Sequence, residues 1–315
     1  MKDFDVIVVG ELNVDLILNN IDSFPEMGKE KIAANMDMIL GSSSAIFASN
    51  LSTLGARVAF IGKIGDDSFG NLVLNSLQQK GVDTSMIISD PQLATGATII
   101  LNYGEDRAMV THPGAMNYLT IDEIDKDTLK KAQHLHFSSA FLQPGIKDDL
   151  ARLFKMAREV NLTTSLDAQW DPAEQWDLNL QKMMPDINVL LPNQKEALYL
   201  SATKNIDEAL NTFDNWGADI VAVKMDNQGS LVRQNGKNNT LAAFLNKEVV
   251  DSIGAGDSFN AGFIFKYIQG KDLAECQRFA NVTGAINTTA AGGTGAFANY
   301  QSIMEIARQR FGYAD

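Results

Sequence analysis

Unbroken apolar runs, more than alternating ones, mark the strands of this chain. Val6-Ile7-Val8-Val9, Val58–Ile61, Thr163–Leu166, Val189–Leu191 and Ile220–Val223 are short and rich in β-branched residues. Runs of that length and make-up belong to strands covered on both faces, as in a parallel sheet. Between them, apolar residues recur at helical spacing and predict helices over Ser44–Leu54, Gly70–Gln79, Lys147–Glu159, Gln194–Leu200 and Ile206–Trp216. Gly55 and Gly81 stand where helix C-caps belong. Strands alternating with helices predict right-handed βαβ units, hence an α/β fold: a doubly wound, mostly parallel sheet with helices on both faces.

Residues 12–40 and 96–112 break that rhythm. The first alternates loosely through Leu12, Val14, Leu16 and Leu18, then Ile32, Met36, Met38 and Leu40. In the second, Thr98–Leu101 leads into the turn-like Tyr103-Gly104-Glu105-Asp106. Either these segments pair into a small sheet apart from the main one, or each is a solvated hairpin. Residues 1–11, 41–95 and 113–315 are left for the large domain.

Composition narrows the functions open to such a fold. At 315 residues and 45% apolar, the chain has enough to bury a sizeable core and is neither disordered nor a disulfide scaffold. A net charge of −13 repels phosphate backbones and anionic lipid, so neither nucleic acid nor a membrane surface is an expected partner. A phosphate-bearing ligand would have to be held locally, by amides, a few cations or a metal. The run at Val6–Val9 is too short for a signal core or a bilayer span, and the lone Cys276 forms no internal disulfide. Both features fit a reducing cytoplasm.

The strongest local signal runs from Asp251 to Asn260, where Gly254-Ala255-Gly256 leads into a helix expected from about Asp257 toward Ile268. Unpaired N–H groups at a helix start, with no side chains in the way, make an anion site. Asp257 is then either a first-turn acid facing the helix dipole or a base beside a transferring phosphoryl group. Pro192-Asn193-Gln194-Lys195-Glu196 follows a strand and opens a helix. Asn193 and Glu196 have the spacing of a capping box, and Glu196 could equally be a ligand for Mg²⁺, directly or through water. Lys224 ends a strand, where open α/β sheets bind ligands, and Gln228-Gly229-Ser230 follows as a turn. Asn281 opens a small-residue helix that leads to a glycine loop over Ala290–Ala296, including Gly293. Asn13 and Asp15 alternate onto one side after the first strand, and Gly41-Ser42-Ser43-Ser44 precedes a helix. His134 and His136 alternate in a strand without a third ligand and read as hydrogen-bonded core residues. Asp167-Ala168-Gln169-Trp170-Asp171 follows a strand and offers polar groups to a cleft.

Taken in order, these residues resemble the ribokinase-like (PfkB) carbohydrate kinase family over nearly the whole chain. Leu54-Gly55 followed by Phe60 to Asp67 and Phe69-Gly70 is similar to its N-terminal signature, and Asp251 to Asp257 with Phe259-Asn260-Ala261-Gly262 to its C-terminal one. The resemblance implies a large α/β domain and a β lid over 12–40 and 96–112. It also implies transfer of the ATP γ-phosphoryl group to a hydroxyl, with Mg²⁺. On it, Asp257 is the general base, Gly254, Ala255 and Gly256 form the anion hole, and Asn193 and Glu196 organise Mg²⁺ and phosphates. Lys224, Gly229, Asn281 and Gly293 are nucleotide contacts; Asn13, Asp15, Gly41, Ser42 and Ile46 belong to the acceptor site. Asp251 overlaps the place where some relatives bind K⁺, and many relatives dimerise through their lids. Three departures touch specificity. Ser42 and Ile46 replace a glycine and an asparagine, Asp226 stands where glycine is common, and Asp167-Ala168-Gln169 replaces Asp-Pro-Asn. The expected protein is therefore an ATP-dependent sugar kinase, with a nucleoside kinase or a catalytically silent sugar- or nucleotide-binding regulator as alternatives. A dehydrogenase is disfavoured, because Gly10-Glu11-Leu12-Asn13 lacks the G-x-G-x-x-G spacing.

Overall fold

The computed structural model describes residues 2–103 and 106–314, so Gly104 and Glu105 of the expected turn lie outside the described residues. Its strands are β1 (Val6–Val9), β2 (Asn13–Asn19), β3 (Asn35–Leu40), β4 (Val58–Gly65), β5 (Ile87–Asp90), β6 (Gly96–Tyr103), β7 (Asp106–His112), β8 (His134–Ser138), β9 (Thr163–Asp167), β10 (Val189–Leu190), β11 (Ile220–Lys224), β12 (Ser230–Gln234) and β13 (Lys237–Leu241). Helices α1 (Ser43–Thr53), α2 (Ser68–Gln79), α3 (Lys126–Leu129), α4 (Pro144–Lys147), α5 (Leu150–Glu159), α6 (Leu180–Met183), α7 (Gln194–Ser201), α8 (Ile206–Asn215), α9 (Ala255–Ile268), α10 (Leu273–Asn287) and α11 (Tyr300–Phe311) connect them.

Among the described residues, the large sheet runs β13-β12-β11-β10-β9-β8-β1-β4-β5. It is parallel except for the β11–β12–β13 meander. β1 lies between β4 and β8, pairing Val8 with Phe60 on one side and with His136 on the other. The winding direction changes there, and the crevice beyond the strands' carboxyl ends at such a switch point is where open α/β sheets bind ligands. Period-two alternation divides the core. Val6 and Val8 point into one cluster with Phe47, Phe60, Phe263 and Phe279 from the α1, α9 and α10 side. Ile7 and Val9 point into another with Phe137, Phe154 and Phe213 from the α5 and α8 side. A run without polar positions is the signature of a strand sandwiched in this way. Among the described residues no helix is long and apolar enough to cross a membrane.

The four strands that broke the rhythm form a separate sheet, ordered β3-β2-β6-β7. Register sorts its two faces. Asp15, Thr98 and Thr111 share a row, as do Ile17, Ile100 and Met109. On the opposite face Met38, Leu16, Ile99 and Val110 make one row and Met36, Leu18, Leu101 and Ala108 the next.

Other elements differ from the sequence expectation. The helix expected over Lys147–Glu159 is broken at Asp148 and Asp149, so α4 ends where α5 has yet to begin. Paired aspartates are weak helix formers that prefer to cap. The expected Asn281–Thr289 helix is the second half of α10, which starts at Leu273 under an Asp272 cap. His134 and His136 belong to a buried chain: His134 bonds Thr163 and Ser165, and Ser165 bonds His136 at 2.7 Å. Burial holds His134 down near 3, so it stays neutral. Cys276 is buried in the core, its thiol pushed up to about 12 by burial, which makes it unreactive.

Gly229 closes the β11–β12 turn at φ +103, and a Cβ there would collide with the Leu241 carbonyl of β13. Gly229→Ala should therefore destabilise the protein by about 1–3 kcal/mol, read as a lower urea midpoint with an unchanged slope. An unaltered midpoint would show that the meander yields freely.

Candidate active site

The strands of the large sheet end in loops that wall two adjoining cavities. One, of about 400 Å³, is lined by Gly229, Ala243, Phe244, Val249, Asn281 and Ala285 among others. The second, of about 640 Å³, lies under the small sheet and is lined by Asn13, Asp15, Ser42, Ile46, Asn193, Glu196, Gly254 and Asp257. Lys224, Asp226, Ser252, Ala255 and Gly256 line both, so the cavities meet at the start of α9.

That start leaves backbone amides without acceptors among the described residues. Gly254 adopts φ +76, and a Cβ on it would lie 2.6 Å from the Gly293 Cα, so only glycine fits. Ala255 N–H bonds the Ser252 carbonyl, and Ser258 N–H closes the first helical bond to Gly254. The amides of Gly256 and Asp257 find no acceptor among the described residues, and they sit at the positive end of a 14-residue helix.

Asp257 projects from this turn into the larger cavity and is only 6% exposed. Burial, then the charge of Asp167, pushes its carboxyl up to about 8, against the pull of Lys224 and a hydrogen bond from Ser43. Asp167 is fully buried at the end of β9 and collects donors: Lys224 Nζ at 2.7 Å, Asn260 Nδ2 at 2.5 Å and Gln169 Nε2 at 2.9 Å. Lys224 is the lysine that the strand-end argument expected in the ligand cleft. Here it is tied to Asp167, although it still lines both cavities.

Asn193 and Glu196 make the full capping box at the start of α7, with Glu196 accepting from Asn193 N and Nδ2 and Asn193 Oδ1 accepting from Glu196 N. Both also face the larger cavity. Burial, then the Asp167 charge, pushes Glu196 up to about 7. The carboxylates lining this cavity are Glu11, Asp15, Glu196, Asp226 and Asp257, against the cations Arg107 and Lys224. Negative side chains thus outnumber positive ones around this cavity.

At the other end, Asn13 Nδ2 donates to Asp15 Oδ1 at 3.1 Å and to Thr98 Oγ1 at 2.9 Å. Burial raises Asp15 to about 6, partly offset by Asn13. Gly41 lies directly beneath, and any Cβ on it would strike Asp15 Oδ1. Ser42 keeps a left-handed backbone, φ +71, where the resemblance expects glycine, and its hydroxyl accepts from Ala45 N and donates to Glu11. Asp226, the other residue in a glycine's place, also has positive φ, +49. In both positions the glycine-like backbone is kept by a polar residue.

Some expected residues sit behind the cavities rather than in them. Gly293 lines neither; it packs against Gly254 and Ile46, and its carbonyl accepts from Asn50. Asp251 accepts from Ile253 N and Gly292 N and so ties two loops together. Ile46 lines the larger cavity and also wedges its methyl groups onto Gly293 and Gly254. Among the lining residues that escaped the sequence reading, three bear on the acceptor end. Thr98 and Thr111 share the Asp15 row, which only register reveals, and Glu11 is a buried carboxylate held by Ser42, Ser44 and Ser139.

A doubly wound sheet with a small second sheet, and two adjoining cavities beside a helix start that carries a buried carboxylate, make up the ribokinase fold. The chain belongs to the pfkB family of carbohydrate kinases, whose model matches residues 3–298. It is 32% identical over 235 residues to an uncharacterized sugar kinase of Archaeoglobus fulgidus, covering 75% of this chain and 92% of that one. Two solved structures share the fold. The Arabidopsis thaliana ribokinase, complexed with ribose and ATP, superposes with a TM-score of 0.84 at 22% identity, covering 96% of this chain and 98% of that one. An Escherichia coli chain described as a ribokinase II, in complex with ATP and Mg²⁺, gives 0.85 at 23% identity, covering 97% and 99%.

A carboxyl raised in the folded state is hardest to keep where it must ionise. Stability contributed by the protonated form is present at low pH and lost as the pH rises through about 8. Asp257→Asn should therefore melt at or above wild type, the gap widening between about pH 6 and about pH 9. A variant that melts lower at both values would contradict the raised carboxyl.

Proposed function

We propose that the protein transfers the γ-phosphoryl group of ATP to a hydroxyl of a small polyhydroxylated metabolite, a sugar, with Asp257 as the general base. The observation that carries this reading is the placement of Asp257: it lines the larger cavity one residue beyond Gly256, which both cavities share, next to the free amides of Gly256 and its own N–H. The smaller cavity would take the nucleoside, against Phe244, Val249, Asn281 and Gly229. Its phosphates would then run past Lys224 and the Gly254–Gly256 turn. Mg²⁺, when bound, supplies charge neutralisation at the phosphates, and Asn193 and Glu196 would hold it. Asp15, Asn13, Thr98 and Thr111 would grip acceptor hydroxyls. Phosphoryl transfer asks little covalent chemistry of a protein beyond such positioning and electrostatics.

Residues 12–40 and 96–112 would act as the lid, closing over the acceptor to exclude water. Its cleft-facing lining is Thr98, Ile100, Arg107, Met109 and Thr111: the threonines and the arginine suit a sugar's hydroxyls, while apolar Ile100 and Met109, with Trp170 of the same cavity, are the surface a nucleoside would use. The loops joined by Asp251 are the place where K⁺ would act. The outer lid face carries exposed Met36, Met38, Ile99 and Val110, and a second copy of this chain would cover it. ATP as donor and a single reduced thiol suit the cytoplasm.

The test is ADP release with Mg·ATP over pentoses, hexoses, sugar acids, sugar phosphates, cyclitols and nucleosides, with and without K⁺. At least one acceptor should be turned over. Asp257→Asn should lose roughly 10²-fold or more of that turnover while still binding ATP; unchanged turnover would remove the base. Ile46→Asn should change acceptor preference more than nucleotide affinity, and equal effects on both would place Ile46 elsewhere. For the lid, sedimentation should give a dimer that Val110→Glu dissociates; a wild-type monomer would refute that contact.

A further inference from the structure

Gln169 does something that neither capping nor core packing requires. It follows β9 in a left-handed conformation, φ +62, which glutamine seldom adopts. Non-glycine residues held there are strained, and such strain clusters at functional sites. The conformation turns its side chain back so that Nε2 lies 2.9 Å from Asp167 Oδ2 and 3.0 Å from Asp257 Oδ1. The amide nitrogen rather than the carbonyl oxygen belongs there, since the oxygen would face the Lys224-paired carboxylate of Asp167. Both N–H bonds of one amide are thus committed, one to each acid.

Its neighbours hold it in place. Asp167 is pinned by Lys224 and Asn260 as well. The loop beyond Gln169 is organised by Asp171, which accepts from Ala173 N, Gln175 N and Trp176 N. The strand end, the loop and the amide together make a hydrogen-bonded arm reaching from β9 to the first turn of α9.

We infer that Gln169 is a positioning residue for the phosphoryl-transfer step, orienting the Asp257 carboxyl by holding Oδ1. In that step the acceptor O–H bond breaks and its proton passes to Oδ2 of Asp257. The acceptor oxygen bonds the γ-phosphorus, and the bond from that phosphorus to the β–γ bridging oxygen breaks, its electron pair leaving with ADP. An amide fixed on Oδ1 sets the plane of the carboxyl and turns Oδ2 toward the acceptor. It also donates to the ionised form, which favours the base state. The charged and polar groups acting on Asp257 besides Gln169 are Asp167 and Glu11, which oppose ionisation, and Lys224 and Ser43, which favour it.

This inference rests on Asp257 being the base, and the experiment separates the two. Wild type, Gln169→Leu, Gln169→Gly, Asp257→Asn and the double variant Gln169→Leu/Asp257→Asn are compared with Mg·ATP and D-ribose. Water serves as the acceptor if ribose is not used, read as ATP hydrolysis. Gln169→Gly suits the left-handed backbone better than glutamine or leucine does, so alone and combined with Asp257→Asn it gives the same readout where a leucine variant fails to fold. Loss of the amide should lower kcat by about tenfold or more, leave KM for ATP unchanged and move the acid limb of the pH–rate profile upward. In the Asp257→Asn background it should cost nothing further. An unmoved acid limb, or losses that multiply in the double variant, would overturn the role of Gln169 with the base intact. Wild-type turnover in Asp257→Asn would overturn the base, and the inference with it.

Discussion

The site is organised around a shortage of positive charge. Asp167, Glu196 and Asp257 lie in or beside one buried crevice, and Lys224 is the lysine they share. Burial alone would push Lys224 toward its neutral form, but Asp167 and Glu196 hold it charged. Its ion pair with Asp167 at 2.7 Å is nearly inaccessible to solvent. In such surroundings a pair persists only when its remaining lone pairs are satisfied, and Asn260 and Gln169 supply that. The other two acids are left under-compensated. They are raised into the neutral range, where a carboxyl can exchange protons or welcome a cation with its phosphates.

The fold delivers this concentration of charge by bringing strand ends together. Asp167 ends β9, Lys224 ends β11, Asn193 follows β10, and Asp257 enters from α9. The backbone pays locally: Ser42, Gln169, Asp226 and Gly254 all adopt positive φ around the crevice. Strained residues persist only where their surroundings over-determine them. Here the determinants are visible as the Glu11 bonds to Ser42, the two-acid bridge of Gln169 and the glycine packing under Ile46.

Much of this was legible in the sequence because it depends on periods and on neighbours in the chain. The apolar runs identified β1, β4, β10 and β11, since strands covered on both faces are mostly apolar, and β-branched residues identified β9, whose polar Thr164 and Ser165 are buried through hydrogen bonds. The glycine turn before Asp257 and the Asn193–Glu196 box are local motifs that carry their chemistry within four residues. Contacts across the fold were not legible. Nothing near Gln169 in the chain announces Asp257, 88 residues away. Thr98 and Thr111 join Asp15 only through strand register. Lys224 read as a free phosphate contact because its partner, Asp167, comes from a different strand. Gly293 read as a ligand loop, whereas its lack of a side chain serves packing against Ile46 and Gly254.

The account turns on Asp257 being a carboxyl kept from ionising until the neutral range by burial and by Asp167. Carbon-13 NMR of protein labelled at aspartate side-chain carboxyls measures this directly, with Asp257→Asn assigning the resonance. The account predicts a resonance that titrates near 8 and vanishes in the variant. A resonance titrating near the ordinary aspartate value, about 3.9, would contradict it.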